Sequence, residues 1–209
     1  MQSIRIPLAL GAAAALLLAS ILPAEAAGRS RIRIRSGNAT ANTVVIDETS
    51  TPPKLTLTPG MAVRAAPGAL LDLGGGVYEI LVAGDAAYHV KTRGGIDSIV
   101  VRDGPGSSTY WLGAGADSDI VEVYDGPGID FYTIEGKKGD DHYTIDDTGG
   151  DSEDGYYIKG AKGVDRYDVM DGPGNDLYKF RGSSDGIVVF VDAMGDEDQI
   201  RAKGVSVTP

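Results

Sequence analysis

Aspartate residues recur at fixed intervals in the second part of the chain. They form three series whose successive members lie 22 or 24 residues apart. Carboxylate oxygens are hard ligands of the kind that Ca²⁺ prefers, so rows of such acids could hold cations. The first series contains Asp97, Asp119, Asp141 and Asp165; the second contains Asp130, Asp154, Asp176 and Asp198; the third contains Asp103, Asp125, Asp147 and Asp171. Ser108 holds the second-series position one period before Asp130.

The third series opens a repeated turn. The tetrapeptide Asp-Gly-Pro-Gly occurs at 103–106, 125–128 and 171–174, with degenerate copies at 147–150 and 192–195. Gly, Pro and Asp each favour turns, for different conformational reasons. A fixed period of about 22 residues indicates an internal repeat, which is typical of solenoid proteins.

Apolar residues share this period and predict the elements that position the acids. Each member of two series is followed two residues later by a second apolar residue or an alanine, as in a strand with one buried side. We therefore expect an all-β, right-handed parallel β-solenoid of about five to six coils, each with two short strands. The two series are Tyr88, Tyr110, Tyr132, Tyr156, Tyr178 and Ile200, and Ile99, Val121, Tyr143, Tyr167 and Val188.

In such a stack, equivalent acids lie about 5 Å apart, the distance between neighbouring strands. Each neighbouring pair of carboxylates repels by roughly 3 kcal/mol at an effective dielectric constant of about 20, before screening by solvent and salt. A cation between the coils would relieve this repulsion, and an all-oxygen ligand set favours Ca²⁺ over Zn²⁺ or Mg²⁺. The alternative is that the aspartates accept hydrogen bonds from backbone N–H groups of the turns.

Four Gly-rich turns resemble the Gly-Gly-x-Gly-x-Asp-x-apolar-x repeat of the RTX (haemolysin-type) calcium-binding β-roll. They lie at 113–117, 126–132, 136–141 and 172–178. The resemblance implies Ca²⁺ bound between successive coils by the turns and their aspartates. The half-turn here has 11 residues rather than about nine, which gives two inward residues per strand instead of one.

Composition limits the function classes. The chain has 209 residues, a formal net charge of −11 and no Cys. These values exclude disulfides, thiolate zinc sites and a Cys nucleophile, and they make nucleic acid an unfavourable partner. With 42% hydrophobic residues the chain can form a core.

The chain divides into four predicted segments. Residues 1–26 read as a signal peptide, with Arg5 before an apolar run and Ala26 at the cleavage site, so we expect a periplasmic or extracellular protein without a transmembrane anchor after processing. Residues 27–70 contain few Gly and form an N-terminal arm or β cap. Residues 71–204 form the solenoid, and 205–209 a tail.

These patterns predict a calcium-binding module with a structural or partner-binding role. No catalytic group is singled out, because every turn carries acids. The alternative is a carbohydrate-active β-helix (a lyase, hydrolase or polysaccharide binder) that uses an outward strip of Trp111, Phe131, Tyr157 and Leu177, unless segment 27–70 covers that strip. A metal-free solenoid for adhesion or assembly is a third possibility. Expected partners are calcium and either a polysaccharide or a cell-surface or extracellular protein.

Overall fold

The computed structural model describes residues 29–37, 39–82, 84–150, 152–191 and 197–208. The predicted signal peptide at 1–26 and the degenerate turn at 192–195 lie outside these ranges. Within them the chain forms strands and turns without a helix, and hence contains no helical segment able to cross a membrane.

Sixteen strands are formed by the described residues. They are β1 (Ser30–Arg35), β2 (Thr43–Asp47), β3 (Lys54–Leu57), β4 (Ala62–Ala65), β5 (Leu70–Gly74), β6 (Val77–Ile80), β7 (Ala86–Lys91), β8 (Ser98–Arg102), β9 (Thr109–Ala116), β10 (Ile120–Tyr124), β11 (Phe131–Lys138), β12 (His142–Asp146), β13 (Gly155–Lys159), β14 (Arg166–Met170), β15 (Leu177–Val191) and β16 (Gln199–Thr208).

Parallel pairing arranges these strands as two faces of a solenoid. The first face contains β1, β7, β9, β11, β13 and the start of β15, and the second contains β2, β8, β10, β12, β14 and the end of β15. β16 pairs with both parts of β15. The predicted parallel β-solenoid, with about five turns of 22 residues, is confirmed, because each strand pairs with its equivalent one period away.

The interior is formed by the predicted apolar series. On the first face, five tyrosines stack with ring centroids 4.8–5.1 Å apart and planes within 6° of parallel. This spacing matches the distance between neighbouring strands, so identical residues stack without a change of rotamer. The stacked tyrosines are Tyr88, Tyr110, Tyr132, Tyr156 and Tyr178, and all are buried.

The strand pairing divides the N-terminal part of the chain at a different position from the one that its composition predicts. β1 and β2 continue the two faces in register, with Ile32 opposite Tyr88 and Val44 opposite Ile99. β3 to β6 pair antiparallel and cover that end, so the cap runs past residue 70 to Ile80. Likewise β16 includes most of the expected tail. Whether a segment forms a strand of the solenoid depends on its alternating buried apolar residues. The Gly and Asp content identifies only the turns.

Glycine is required where successive turns touch. Gly128 has a φ of +152°, and a Cβ there would overlap the carbonyl oxygen of Gly106 in the preceding coil. Gly106, with a φ of +137°, meets Gly84 in the same way. The second glycine of the Asp-Gly-Pro-Gly turn therefore permits close stacking of the turns as well as their backbone conformation.

Candidate metal centre

Two kinds of turn join the faces. The Asp-Gly-Pro-Gly edge consists of the turns 103–108, 125–130, 147–154 and 171–176, which lead from the second face to the first. The opposite edge consists of the turns 92–97, 117–119, 139–141 and 160–165, which lead back. The second and third Asp series lie on the Asp-Gly-Pro-Gly edge, and the first series lies on the opposite edge.

The first series forms a chain of backbone-to-carboxylate hydrogen bonds across the coils. The Asp97 N–H donates to Asp119 Oδ1 at 2.8 Å, and the Asp119 N–H donates to Asp141 Oδ1 at 3.0 Å. The Asp141 N–H donates to Asp165 Oδ1 at 3.2 Å. Each carboxylate thus satisfies a backbone donor that the strand ladder leaves unpaired in the preceding coil.

The second series repeats this arrangement on the other edge. The Asp130 N–H donates to Asp154 Oδ1 at 2.6 Å, and the Asp154 N–H donates to Asp176 Oδ1 at 2.6 Å. Asp198 accepts from the Asp176 N–H at 2.9 Å, and Asp130 accepts from the Ser108 N–H. Stacking of these acids in register therefore has a backbone explanation and does not by itself indicate a cation.

The third series accepts hydrogen bonds from the stacked tyrosines. Tyr132 Oη donates to Asp125 Oδ1 at 2.6 Å, and Tyr156 Oη donates to Asp125 Oδ2. Tyr178 Oη donates to Asp171 Oδ1 at 2.6 Å. The aromatic wall of the first face therefore ends in a row of hydroxyl groups directed at the third row of aspartates.

The second and third series converge into three buried clusters. In each cluster, the two aspartates that flank one turn meet the third-series aspartate of the preceding coil. One ligand atom from each of the three residues lies within 4.8 Å of the others. The clusters are Asp103, Asp125 and Asp130; Asp125, Asp147 and Asp154; and Asp147, Asp171 and Asp176. Among the described residues the first series enters no such cluster, and neither does Asp198.

Each cluster contains a carboxylate oxygen without a hydrogen-bond partner, as do Asp97, Asp119 and Asp165 on the opposite edge. The Oδ2 atoms of Asp130, Asp154 and Asp176 are buried and unpartnered, while their Oδ1 atoms hold backbone N–H groups. These three residues are at most 4% exposed. Within the described ranges no Lys or Arg side chain is buried, so the clusters lack an internal base that could neutralise them. A buried charge without a partner is costly, which leaves protonation or a bound cation to compensate it.

Burial raises the pKa of these acids, and neighbouring carboxylates raise it further. The pKa is raised to about 9 for Asp130 and Asp147, to about 8 for Asp154 and to about 7 for Asp103. Without a cation, part of each cluster is therefore protonated at neutral pH. A divalent ion that bound there would displace those protons, so metal affinity would rise with pH.

Two residues of the N-terminal segment belong to the same rows and were not predicted from the sequence. Glu48 is buried at the head of the third series, where it accepts from Tyr88 Oη and from the Gly84 N–H. Asn42 heads the first series, and its backbone N–H and Nδ2 both donate to Asp97 Oδ1 at 2.8 Å. Their distances from the apolar pair at 44 and 46 equal those of Asp97 and Asp103 from the pair at 99 and 101, which is the signal that could have revealed them.

The predicted aromatic strip lies on the outer side of the first face. Trp111, Phe131, Tyr157 and Leu177 are half-buried there, outside the clusters. Trp111 and Tyr157 share one column with Thr133, and Phe131 and Leu177 lie in the next column. The described part of segment 27–70 pairs along the end of the stack, so it does not cover the strip as the sequence left possible.

Comparison with known proteins found no matching family model, no matching curated protein and no matching solved structure. The resemblance to the RTX repeat therefore stays a hypothesis that rests on the Gly-rich turns.

Proposed function

We propose that the protein is a calcium-binding β-solenoid module in which Ca²⁺ binds between successive coils at the Asp-Gly-Pro-Gly edge. The observation that supports this most directly is the set of three buried aspartate clusters, each with an unpartnered carboxylate oxygen. A cation would give that oxygen a partner and would connect two coils through acids of both.

The donor set favours Ca²⁺ among the common cations. Each cluster offers carboxylate oxygens without His or Cys, as expected for a hard cation. Ca²⁺ takes about six to eight oxygen ligands in flexible geometry, whereas Mg²⁺ demands near-ideal octahedral geometry. Three carboxylates from two coils, with water completing the shell, suit the less demanding ion.

The proposed role is structural or partner-binding. Binding energy at these clusters would be available only when the coils are stacked, so calcium binding and folding would be coupled. The predicted signal at 1–26 would place the protein in the periplasm or outside the cell. There, free calcium is high enough for the weak sites of extracellular modules.

A calcium titration followed by thermal melting and circular dichroism tests the proposal. We expect Ca²⁺ to raise the melting temperature of chelator-treated protein, by an amount equivalent to about 2.7 kcal/mol at a concentration of 100 times Kd. Mg²⁺ at equal concentration should do less. Calorimetry in buffers of different ionisation enthalpy should show proton release on binding, because the empty clusters hold protons.

A matched pair of variants assigns the effect to the clusters. Asp130→Asn keeps an oxygen acceptor for the Ser108 N–H but removes a carboxylate from one cluster, so the calcium response should shrink. Asp119→Asn keeps the equivalent hydrogen bond on the opposite edge and should leave the response intact. An unchanged melting temperature on chelation and on calcium addition would contradict the proposal, as would equal losses in the two variants.

A further inference from the structure

The outer surface of the first face carries a concentration of positive charge in an acidic protein. Nine basic side chains and one acid point outward from the regularly paired parts of its strands, although the chain has 30 acids and only 19 Lys and Arg. Lys137 and Lys138 are two further exposed bases at the end of β11. The acid is Glu135, whose Oε1 atom lies 3.9 Å from Lys159 Nζ. The nine bases are Arg31, Arg33, Arg35, Lys91, Lys159, Lys179, Arg181, Arg201 and Lys203.

The second face has no such bias. The charged residues that point outward from β2 to β14 are mostly acidic, and one of the acids, Asp168, pairs with both Arg166 and His142 on the same surface. These residues are Asp47, Glu122, Asp146, Asp168, Arg102 and Arg166. The positive surface is therefore specific to the first face and is not a general property of solenoid exteriors.

The bases lie at the two ends of the first face. Four are on β1 and β7, and five are on β13, β15 and β16. Of the middle strands, β9 carries no base of its own, although Arg29 donates to its Thr109 Oγ1 at 2.9 Å. β11 carries Lys137 and Lys138 only at its end, past the bulge that follows Glu135, and the two strands present Trp111 and Phe131 between these ends. Seven strands at about 4.8 Å spacing extend over about 29 Å, so the surface suits an extended ligand better than a small molecule.

Glycines give the aromatic rings room close to the sheet. A Cβ at Gly113 would lie 2.7 Å from Trp111 Cη2, and a Cβ at Gly155 would lie 2.8 Å from Phe131 Cδ1. Each ring therefore occupies space above a glycine. The Tyr157 ring lies 5.1 Å from Lys179 Nζ, and the Trp111 ring lies 4.2 Å from that of His89. The result is an apolar platform between two basic regions.

The electrostatic potential at this surface is positive next to β1 and β7. The pKa of His89 is lowered by burial and then by Arg35, Arg33 and Arg31 on β1 and by Lys91 on its own strand. Neutral His89 adds no positive charge of its own.

We propose that the outer surface of the first face binds an extended anionic polysaccharide along the solenoid axis. Carboxylate or sulfate groups pair with the bases at the two ends, and Arg suits them because its guanidinium can bind both oxygens of one group. Pyranose rings pack their apolar C–H faces against Trp111 and Phe131 in the middle, where no charge is needed.

The charge distribution favours a polysaccharide over nucleic acid. A nucleic acid would place phosphates over β9 and β11, where Glu135 is an outward acid and the bases Lys137 and Lys138 lie only at the end of β11. DNA carries one charge per about 1.7 Å of duplex, so an acidic protein with a base-poor centre is a poor match. A glycan with an acid on only some of its sugars can leave this centre uncharged.

Trp111 provides a direct readout because it is the only Trp in the chain. We expect oligosaccharides of hyaluronate or chondroitin sulfate to change its fluorescence, with affinity that falls as salt rises. Neutral dextran should not bind, and single-stranded DNA should bind more weakly. Absence of binding by both anionic glycans overturns the proposal, and so does equal binding of dextran or tighter binding of DNA.

Calorimetry on variants locates the site. Trp111→Thr installs the residue that stands at 133 in the same column, and it should weaken binding about tenfold. The double change Arg181→Ala and Lys203→Ala should reduce the salt dependence, whereas Arg166→Ala on the second face should change neither property. Equal effects of the two sets overturn the proposal, and circular dichroism confirms that each variant is folded.

Titrations with calcium and with chelator separate this proposal from the calcium module. Binding to the first face does not require an ion at the aspartate clusters, so it should persist in chelator for as long as circular dichroism shows folded protein. A failed calcium response with retained glycan binding would remove only the calcium module. Glycan binding that is absent from folded protein in both conditions would remove only the polysaccharide site.

Discussion

The two edges of the solenoid solve the same hydrogen-bonding problem with different numbers of carboxylates. On both, an aspartate accepts from the backbone N–H of its equivalent in the preceding coil, as Asp141 does from Asp119 and Asp176 does from Asp154. The Asp-Gly-Pro-Gly edge has a second buried aspartate per coil at the start of the turn. The opposite edge keeps a single buried row.

The second row is what turns hydrogen-bonded aspartates into clusters. Asp125 and Asp130 flank one short turn and meet Asp103 of the coil before. On the opposite edge the extra acids are exposed, where Asp117 accepts from the Gly95 N–H and Asp140 from the Val164 N–H, both at 2.8 Å. Both edges leave buried carboxylate oxygens without a partner, such as Asp119 Oδ2 and Asp130 Oδ2, but only the Asp-Gly-Pro-Gly edge brings three carboxylates together.

The largest expected effect comes from removing one carboxylate from each edge. Asp125 accepts from Tyr132 Oη, from Tyr156 Oη and from the Gly126 N–H, whereas Asp119 holds only the Asp97 N–H. We expect Asp125→Ala to lower the free energy of unfolding by about 3–5 kcal/mol and Asp119→Ala by about 1–2 kcal/mol. Urea unfolding in chelator measures both.

If both variants lost the same free energy of unfolding, the hydrogen bonds from the tyrosine hydroxyls to Asp125 would contribute little to stability. A control is Asp140→Ala, which removes an exposed acid of the opposite edge with one backbone partner. Its effect should be the smallest of the three, since water can replace the carboxylate there.

Stability of the calcium-free protein should fall as pH rises. The folded pKa is raised to about 9 for Asp130 and Asp147 and to about 8 for Asp154 and Asp119, against about 4 in the unfolded chain. The folded state therefore binds more protons than the unfolded state between these values. The stabilisation is complete below about pH 4 and is lost as pH rises through 8 to 9.

Melting in chelator from pH 5 to pH 9 measures this loss, and calcium should reduce it because the ion holds the ionised form. Asp130 has a higher pKa in the folded state than Asp119. Asp130→Asn should therefore reduce the dependence of the melting temperature on pH more than Asp119→Asn does. A melting temperature that rises with pH in chelator would contradict the assignment of protons to these acids.

Much of the fold could be predicted from spacing alone. Apolar pairs two residues apart and repeated every 22 residues specify two strands per coil, and the offset of Asp97 or Asp130 from its pair specifies the aspartate rows. Which rows converge could not be predicted, because it depends on how tightly the short turn brings Asp125 towards Asp130. The contact between Tyr132 and Asp125, seven residues apart, likewise depends on the width of the coil.

The first coil was missed for a different reason. Composition separated residues 27–70 from the repeat because this segment contains few of the Gly and Asp residues that mark the turns of the other coils. Ile32 and Val44 nevertheless stack on Tyr88 and Ile99. Inward alternation is required for packing in every coil, whereas the turn residues can change when a cap replaces the next turn.

The smallest effect should come from adding one acid at the head of a row on each edge. Ser108 accepts from the Ala86 N–H at 3.4 Å beside Asp103, and Asn42 precedes Asp97 on the opposite edge. Ser108→Asp places a second carboxylate at the first Asp-Gly-Pro-Gly turn, so it should add one calcium site and about 1 kcal/mol of stability in saturating calcium.

Asn42→Asp adds a carboxylate to a single row and loses the Nδ2 donor to Asp97, so it should destabilise the protein with or without calcium. Calorimetric stoichiometry and melting distinguish the two. A gain of calcium by Asn42→Asp would show that a single row is enough to hold the ion, and the difference between the edges would then lie in affinity.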